Sequence, residues 1–122
     1  IGYPADEAEM GMDQILDRAS HRLLPTAFLA DNDLVSIGAM QSMKKHGYQL
    51  PEDYSFVGFD DRPLAALVEP KLTTIQLPRQ RFGAAAVDML VQQIQYPSDD
   101  YINVEINGKL IIRNSVAKKK EL

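Results

Sequence analysis

Two short apolar runs in this chain stop abruptly at acids and amides. Pro25-Thr26-Ala27-Phe28-Leu29-Ala30 ends in Asp31-Asn32-Asp33, and Tyr54-Ser55-Phe56-Val57-Gly58-Phe59 ends in Asp60-Asp61. Runs of this length read as buried strands. In open α/β sheets, ligands bind beyond the carboxyl ends of the strands. An aspartate there accepts hydrogen bonds from neighbouring hydroxyls, and an asparagine both donates and accepts, so the pair suits a hydroxyl-rich ligand. Asp31, Asp33, Asp60 and Asp61 gathered at one sheet edge could also hold Mg²⁺. A phosphoryl-transfer site of that kind usually adds a lysine and a hydroxyl, and neither follows these runs at the right place. The plain alternative is structural: Asn32 and Asp33 cap a helix, and Asp60 starts a turn.

Other chemistries find less support. His21 and His46 both fall at expected helix ends, where they complement the helix dipole. There is no Gly-x-Ser-x-Gly elbow, and Ser36, Ser42 and Ser55 have no evident histidine partner. Neither a dinucleotide-binding glycine pattern nor a P-loop occurs, and the lone Gly83 before Ala84-Ala85-Ala86 reads as a close-packing position. No catalytic residue, metal or cofactor is expected, so the chain reads as a non-enzyme.

The 122 residues are one domain's worth, or part of a larger domain. At 45% hydrophobic and 25% charged, the composition supports a core. No apolar stretch approaches the roughly 18 residues of a membrane span. Cysteine is absent, which excludes disulfides and thiolate chemistry. The net charge is −4, and the basic cluster Lys118-Lys119-Lys120 reads as a solvated tail. The chain by itself is therefore not expected to touch DNA.

These residues need elements to position them. Ala8, Met12, Ile15, Leu16 and Ala19 predict a helix over 5–21. A strand over 26–30 follows. Asp31 or Asn32 caps a second helix that runs to about His46 and stops at Gly47. Leu34, Val35, Ile37, Ala39, Met40 and Met43 do not fit one stripe, so that helix is expected to be covered on two sides. A strand over 54–59, a short helical turn over 63–68 and an extended segment over 72–77 come next. The clearest helix spans 79–95, with the stripe Phe82, Ala85, Ala86, Met89, Leu90 and Ile94. Asn107-Gly108 between two β-prone runs, 102–106 and 109–112, predicts a hairpin. Such alternation argues for a layered α/β fold with a largely parallel sheet. The opening Ile1-Gly2-Tyr3 reads as the tail of a strand, so the chain is expected to be an incomplete domain.

The ordered set resembles the LacI/GalR family of transcriptional regulators. The resemblance runs through Pro25 to Leu34 and Ile37-Gly38-Ala39. Gly47, Leu50-Pro51-Glu52-Asp53 and Ser55 to Asp61 follow. Pro70, Leu72-Thr73-Thr74-Ile75, Pro78, Gly83 and Ala86 complete it. It covers nearly the whole chain. It implies a three-layer, type I periplasmic-binding-protein-like subdomain with a mostly parallel sheet, flanking helices and the C-terminal hairpin. Residues 1–76 would be most of the effector-binding C-terminal subdomain. Residues 77–98 would be a crossover and a helix that normally packs on the N-terminal subdomain, and 99–122 a return hairpin and basic tail.

The resemblance also implies roles. Asn32 and Asp60 match positions that bond effector hydroxyls or ring atoms, and Leu29 and Leu77 match cleft-lining positions. Many sugar-binding members have Gln at Leu77, so a less polar rim is implied. Asp31, Asp33 and Asp61 are left as caps and turn residues. Ile37, Met40, Gln41, Leu67 and Val68 match dimer contacts. The implied protein is a cytoplasmic, homodimeric repressor or activator. It takes a sugar-like effector and reaches operator DNA only through an N-terminal helix-turn-helix absent from this chain. A periplasmic sugar-binding protein of the same fold is the alternative. Such proteins more often have Gly in place of Asp61 and usually lack the Leu-Pro-Glu-Asp and Leu-Thr-Thr-Ile segments. The stripe of residues 79–95 is expected to pack on another copy or fold back on the sheet, and half a cleft is expected to bind effector weakly.

Overall fold

A computed structural model describes residues 4–18 and 24–119. Ile1-Gly2-Tyr3, the last turn expected of the first helix with His21, and Lys120 lie outside them. The elements are α1 (Pro4–Arg18), β1 (Ala27–Leu29), α2 (Asp33–Lys45), β2 (Ser55–Val57), a 3-10 turn (Pro63–Ala66), β3 (Thr74–Gln76), α3 (Arg79–Gln95) and β4 (Lys109–Ile111). They fall into two compact units. Residues 1–76 with 110–122 form the first, and 77–109 form the second.

In the first unit β1 and β2 run parallel, with Ala27 opposite Ser55, Phe28 opposite Phe56 and Leu29 opposite Val57. Parallel bridges Val57–Thr73 and Asp60–Gln76 continue the pattern to β3. The three strand ends therefore finish side by side, as the alternation predicted. The expected strands are longer than the ladders, although flanking residues still bond across: the Ala30 amide donates to the Val57 carbonyl at 3.0 Å and the Gly58 amide to the Thr73 carbonyl at 2.9 Å.

α2 is the central helix. Asn32 is its N-cap: the side-chain Oδ1 accepts from the Val35 amide at 3.0 Å. At the other end Gly47 takes φ 85°, which glycine adopts without a Cβ penalty. Its amide donates to the Lys44 carbonyl at 3.0 Å and the Tyr48 amide to the Met43 carbonyl at 3.1 Å, closing the helix with the paired bonds of a Schellman motif. His46 is the C-cap residue, with Nδ1 2.9 Å from the Ser42 carbonyl oxygen. The helix is covered on two sides, as its composition requires. Ile37, Ala39, Met40 and Met43 join Met12, Tyr54, Phe56, Ala65 and Leu72 in one core. α1 comes close enough to α2 that a Cβ on Gly38 would run into the Ala5 carbonyl.

Gly58 is equally constrained. A Cβ there would meet the Asp33 carboxylate and stand 2.8 Å from Leu72 Cδ2. Gly58→Ala is therefore expected to lower stability by about 2 kcal/mol through overpacking, read as a lower urea midpoint at unchanged slope.

The hairpin is a correction. Residues 102–106 form no strand, and β4 pairs with β3 instead. Asn-Gly favours a tight turn locally, but a strand also needs a ladder partner, and β3 offers an edge. Leu110 and Ile111 join the first unit, after which the chain weaves between β2 and β3. The Phe56 amide donates to the Ser115 carbonyl at 2.8 Å. Ser115 Oγ donates to the Phe56 carbonyl at 2.6 Å and accepts the Thr73 amide at 2.8 Å. Sequence periodicity carried no sign of this seam.

In the second unit α3 spans the expected residues. None of its residues is buried, and Leu90 and Ile94 are 61% and 69% exposed.

Candidate functional site

The site forms where three parallel strands end. β1 delivers the chain to Asn32, whose cap geometry is extended (φ −156°, ψ 170°). The Asp33 amide then donates to the Phe59 carbonyl at 2.9 Å, which sets the start of α2 beside the turn after β2. That turn carries Asp60 at φ 104° and Asp61 at φ 50°, both left-handed. The Asp60 amide is fixed in turn by the Ile75 carbonyl at 2.9 Å. Asn32 and Asp60 thus stand on neighbouring strand ends.

Capping and ligand binding are not competing roles for Asn32. The cap uses Oδ1, and Nδ2 donates to no described residue. The cap fixes the rotamer and leaves two N–H donors for a ligand. Leu29, the last residue of β1, is 75% exposed. Leu77 is half-buried and begins the second unit.

The other carboxylates divide by function. Asp33 is fully buried. Its Oδ1 accepts from Thr74 Oγ1 at 2.5 Å and its Oδ2 from the Arg62 amide at 2.6 Å. One carboxylate therefore ties α2 to the turn and to β3. Asp61 uses Oδ1 for Arg113 Nη2 at 2.6 Å and Oδ2 for Gln76 Nε2 at 2.7 Å. Arg113 also donates to the Leu72 carbonyl at 2.8 Å. Asp31 is exposed. Among the described residues no three His, Asp or Glu side chains gather as a cation site.

The wall is open. A hollow of about 570 Å³ in the same unit lies at the opposite, amino ends of β1 and β2, lined by residues including Tyr48, Tyr54 and Lys118, and it touches neither Asn32 nor Asp60. The candidate site lies at the carboxyl ends of the strands, away from that hollow.

The residues matched to dimer contacts separate by exposure. Ile37 and Met40 are 3% exposed and lie in the chain's own core. Gln41 is exposed, Leu67 is 78% exposed, and Val68 is half-buried against the core. Sequence reasoning missed Arg62, which directly follows Asp60-Asp61 and lies on this wall. It also missed Arg113 and Ser115, for which no local pattern gives a signal.

Parallel strands ending in polar groups, with helices against the sheet, define an α/β domain of the class that places its ligands beyond the carboxyl ends of the strands. Residues 2–116 match the family model of the periplasmic binding protein-like domain. The chain belongs to that family, in its LacI/GalR regulator branch, and corresponds to the C-terminal region of the effector domain. It is 32% identical over 111 residues to the ribose operon repressor of Haemophilus influenzae, covering 91% of this chain and 32% of that protein. It is 41% identical over 92 residues to the arabinose metabolism transcriptional repressor of Geobacillus stearothermophilus, covering 75% of this chain and 25% of that protein. A LacI family regulator from Enterococcus faecium, solved with bound ribose, superposes with TM-score 0.74 at 28% identity, covering 95% of this chain and 41% of that one. The chain thus spans about a third or less of the length of these curated relatives.

Proposed function

We infer that this chain is the effector-sensing and dimerisation part of a LacI/GalR-type transcriptional regulator, and not an enzyme. One observation carries the reading: Asn32 and Asp60 stand on neighbouring strand ends, joined by the bond from the Asp33 amide to the Phe59 carbonyl. The effector is a sugar or related metabolite. The relatives support that class, since one is named for a ribose operon and a similar structure holds ribose. Leu29 supplies apolar rim beside the polar pair, and Leu77 keeps the cleft-lining role that the family resemblance implies.

The mechanism is a population shift. Effector favours one closure of a cleft of which this wall is half, and the dimer passes that geometry to N-terminal helix-turn-helix heads on operator DNA. Gln41, Leu67 and Val68 face the partner copy in this reading, while Ile37 and Met40 brace α2 from the core. Such a regulator works in the cytoplasm and not at a membrane. Among the described residues no helix is long and apolar enough to cross one.

The test separates the cap from the ligand contact in the full-length protein. Asn32→Asp keeps an N-cap acceptor and removes both amide donors. It is expected to leave the melting temperature within a degree or two and to weaken sugar binding about tenfold, the worth of one good hydrogen bond. Unchanged affinity in a screen of candidate sugars would sink the assignment of Asn32. A secretion leader in place of a helix-turn-helix on the complete gene would replace the regulator reading with a periplasmic one.

A further inference from the structure

The turn after β2 holds a cation that the sugar reading leaves unused. Arg62 is pinned by its backbone on both sides. Its amide donates to Asp33 Oδ2 at 2.6 Å, and its carbonyl accepts the Ala65 amide at 2.9 Å. Its guanidinium is only half covered, with the side chain 52% exposed, and Nε stands 3.9 Å from Asp60 Oδ2. That is an ion-pair distance, too long for a hydrogen bond. Arg113, at the same end of the sheet, is different: it is 17% exposed and already bonded to Asp61 and the Leu72 carbonyl.

We propose that Arg62 is a specificity-determining residue that reads an anionic group, carboxylate or phosphate, on a hydroxyl-bearing effector held by Asn32 and Asp60. This rests on the effector reading above. Asp60 alone would repel an acidic ligand placed beside it. Arg62 beside it offsets that repulsion and presents a planar fork of N–H donors that fits carboxylate and phosphate oxygens two at a time. Closing a cleft over the wall strips water from the guanidinium, and stripping a charge of water costs unless it is paired. Asp60 is shared with ligand hydroxyls, so an anion on the effector completes the pairing and a neutral sugar does not. The three groups together specify the ligand: hydroxyl donors for Asp60, an acceptor for the Asn32 amide, and a negative charge for Arg62.

The experiment is titration calorimetry on the full-length protein with two matched sets: glucose, gluconate and glucose 6-phosphate, and ribose, ribonate and ribose 5-phosphate. The carboxylate and phosphate arms separate the two sources of charge. An acidic member is expected to bind at least tenfold tighter than its neutral parent. Arg62→Gln should weaken the acid at least tenfold and the parent less than twofold, and Arg62→Lys should restore part of the difference. Preference for the neutral parent, or an acid affinity that Arg62→Gln leaves unmoved, overturns this inference and leaves the effector reading standing. No heat with any member in the wild type, or binding of every member surviving Asp60→Asn, overturns the effector reading itself.

Discussion

Asp33→Ala is expected to lower stability by about 3–5 kcal/mol. The carboxylate is fully buried and accepts from two donors on different elements, Thr74 Oγ1 and the Arg62 amide. A hydrogen bond to a charged group contributes about 1.5–3 kcal/mol, and a buried donor left without a partner carries its full desolvation cost. The total is a large part of the roughly 5–15 kcal/mol that holds a domain folded. Urea unfolding of the full-length protein checks it. Asp33→Asn sharpens the test, because its amide group opposes one of the two donors whichever way it is turned. Asparagine should recover less than half of the loss. If alanine costs under 1 kcal/mol, the tie between α2, the turn and β3 is not what holds the strand ends together.

Asp60→Gly should move stability and binding in opposite directions. A non-glycine residue at φ 104° is in sparsely populated backbone space and costs on the order of 1–3 kcal/mol. Glycine relieves that strain but gives back part of the gain in unfolded-chain entropy. The net expectation is a gain of about 1 kcal/mol. Effector binding should meanwhile fall ten- to a hundredfold, because a charged acceptor contributes about 1.5–3 kcal/mol to each ligand hydrogen bond. Thermal melting and calorimetry on the same sample check both. Asp60→Asn is the control: it keeps the strained backbone, so its melting temperature should not rise. A glycine variant that is both less stable and still fully competent to bind would contradict the reading of Asp60 as a strained ligand contact.

Much of the fold was legible because local and tertiary preferences agree. Asn32 at the end of an apolar run and Gly47 at the end of the next helix are local signals, and both sit where the structure uses them. The mixed faces of α2 predicted cover on two sides, which α1 and the sheet provide. The hairpin was misread because Asn107-Gly108 is a statement about a turn, whereas strand formation at 109–111 depends on the edge of β3. Asp33 illustrates a subtler limit. Its sequence position fits an N-terminal helical acid, and only the folded chain reveals that its oxygens are taken by residues 62 and 74. Likewise nothing near Asp61 in sequence announces Arg113, 52 positions away. The candidate site was legible as a pair, Asn32 and Asp60. Arg62 stayed hidden because an arginine after two aspartates looks like surface charge balance until its distance to Asp60 is known.

The seam at Ser115 has a consequence for how this unit is made. A nascent chain emerges in order, so β2 and β3 leave the ribosome well before residues 113–117. Until those arrive, the Phe56 amide and carbonyl and the Thr73 amide lack the partners they have in the finished protein. Phe56 is at the centre of the core, 1% exposed. The sheet can therefore gather early but cannot lock until the distal segment threads home, so completion of this wall waits on residues 113–117. A chaperone that holds the emerging polypeptide would act in that interval, and a message truncated upstream of Ser115 would yield a wall that assembles without closing its central seam.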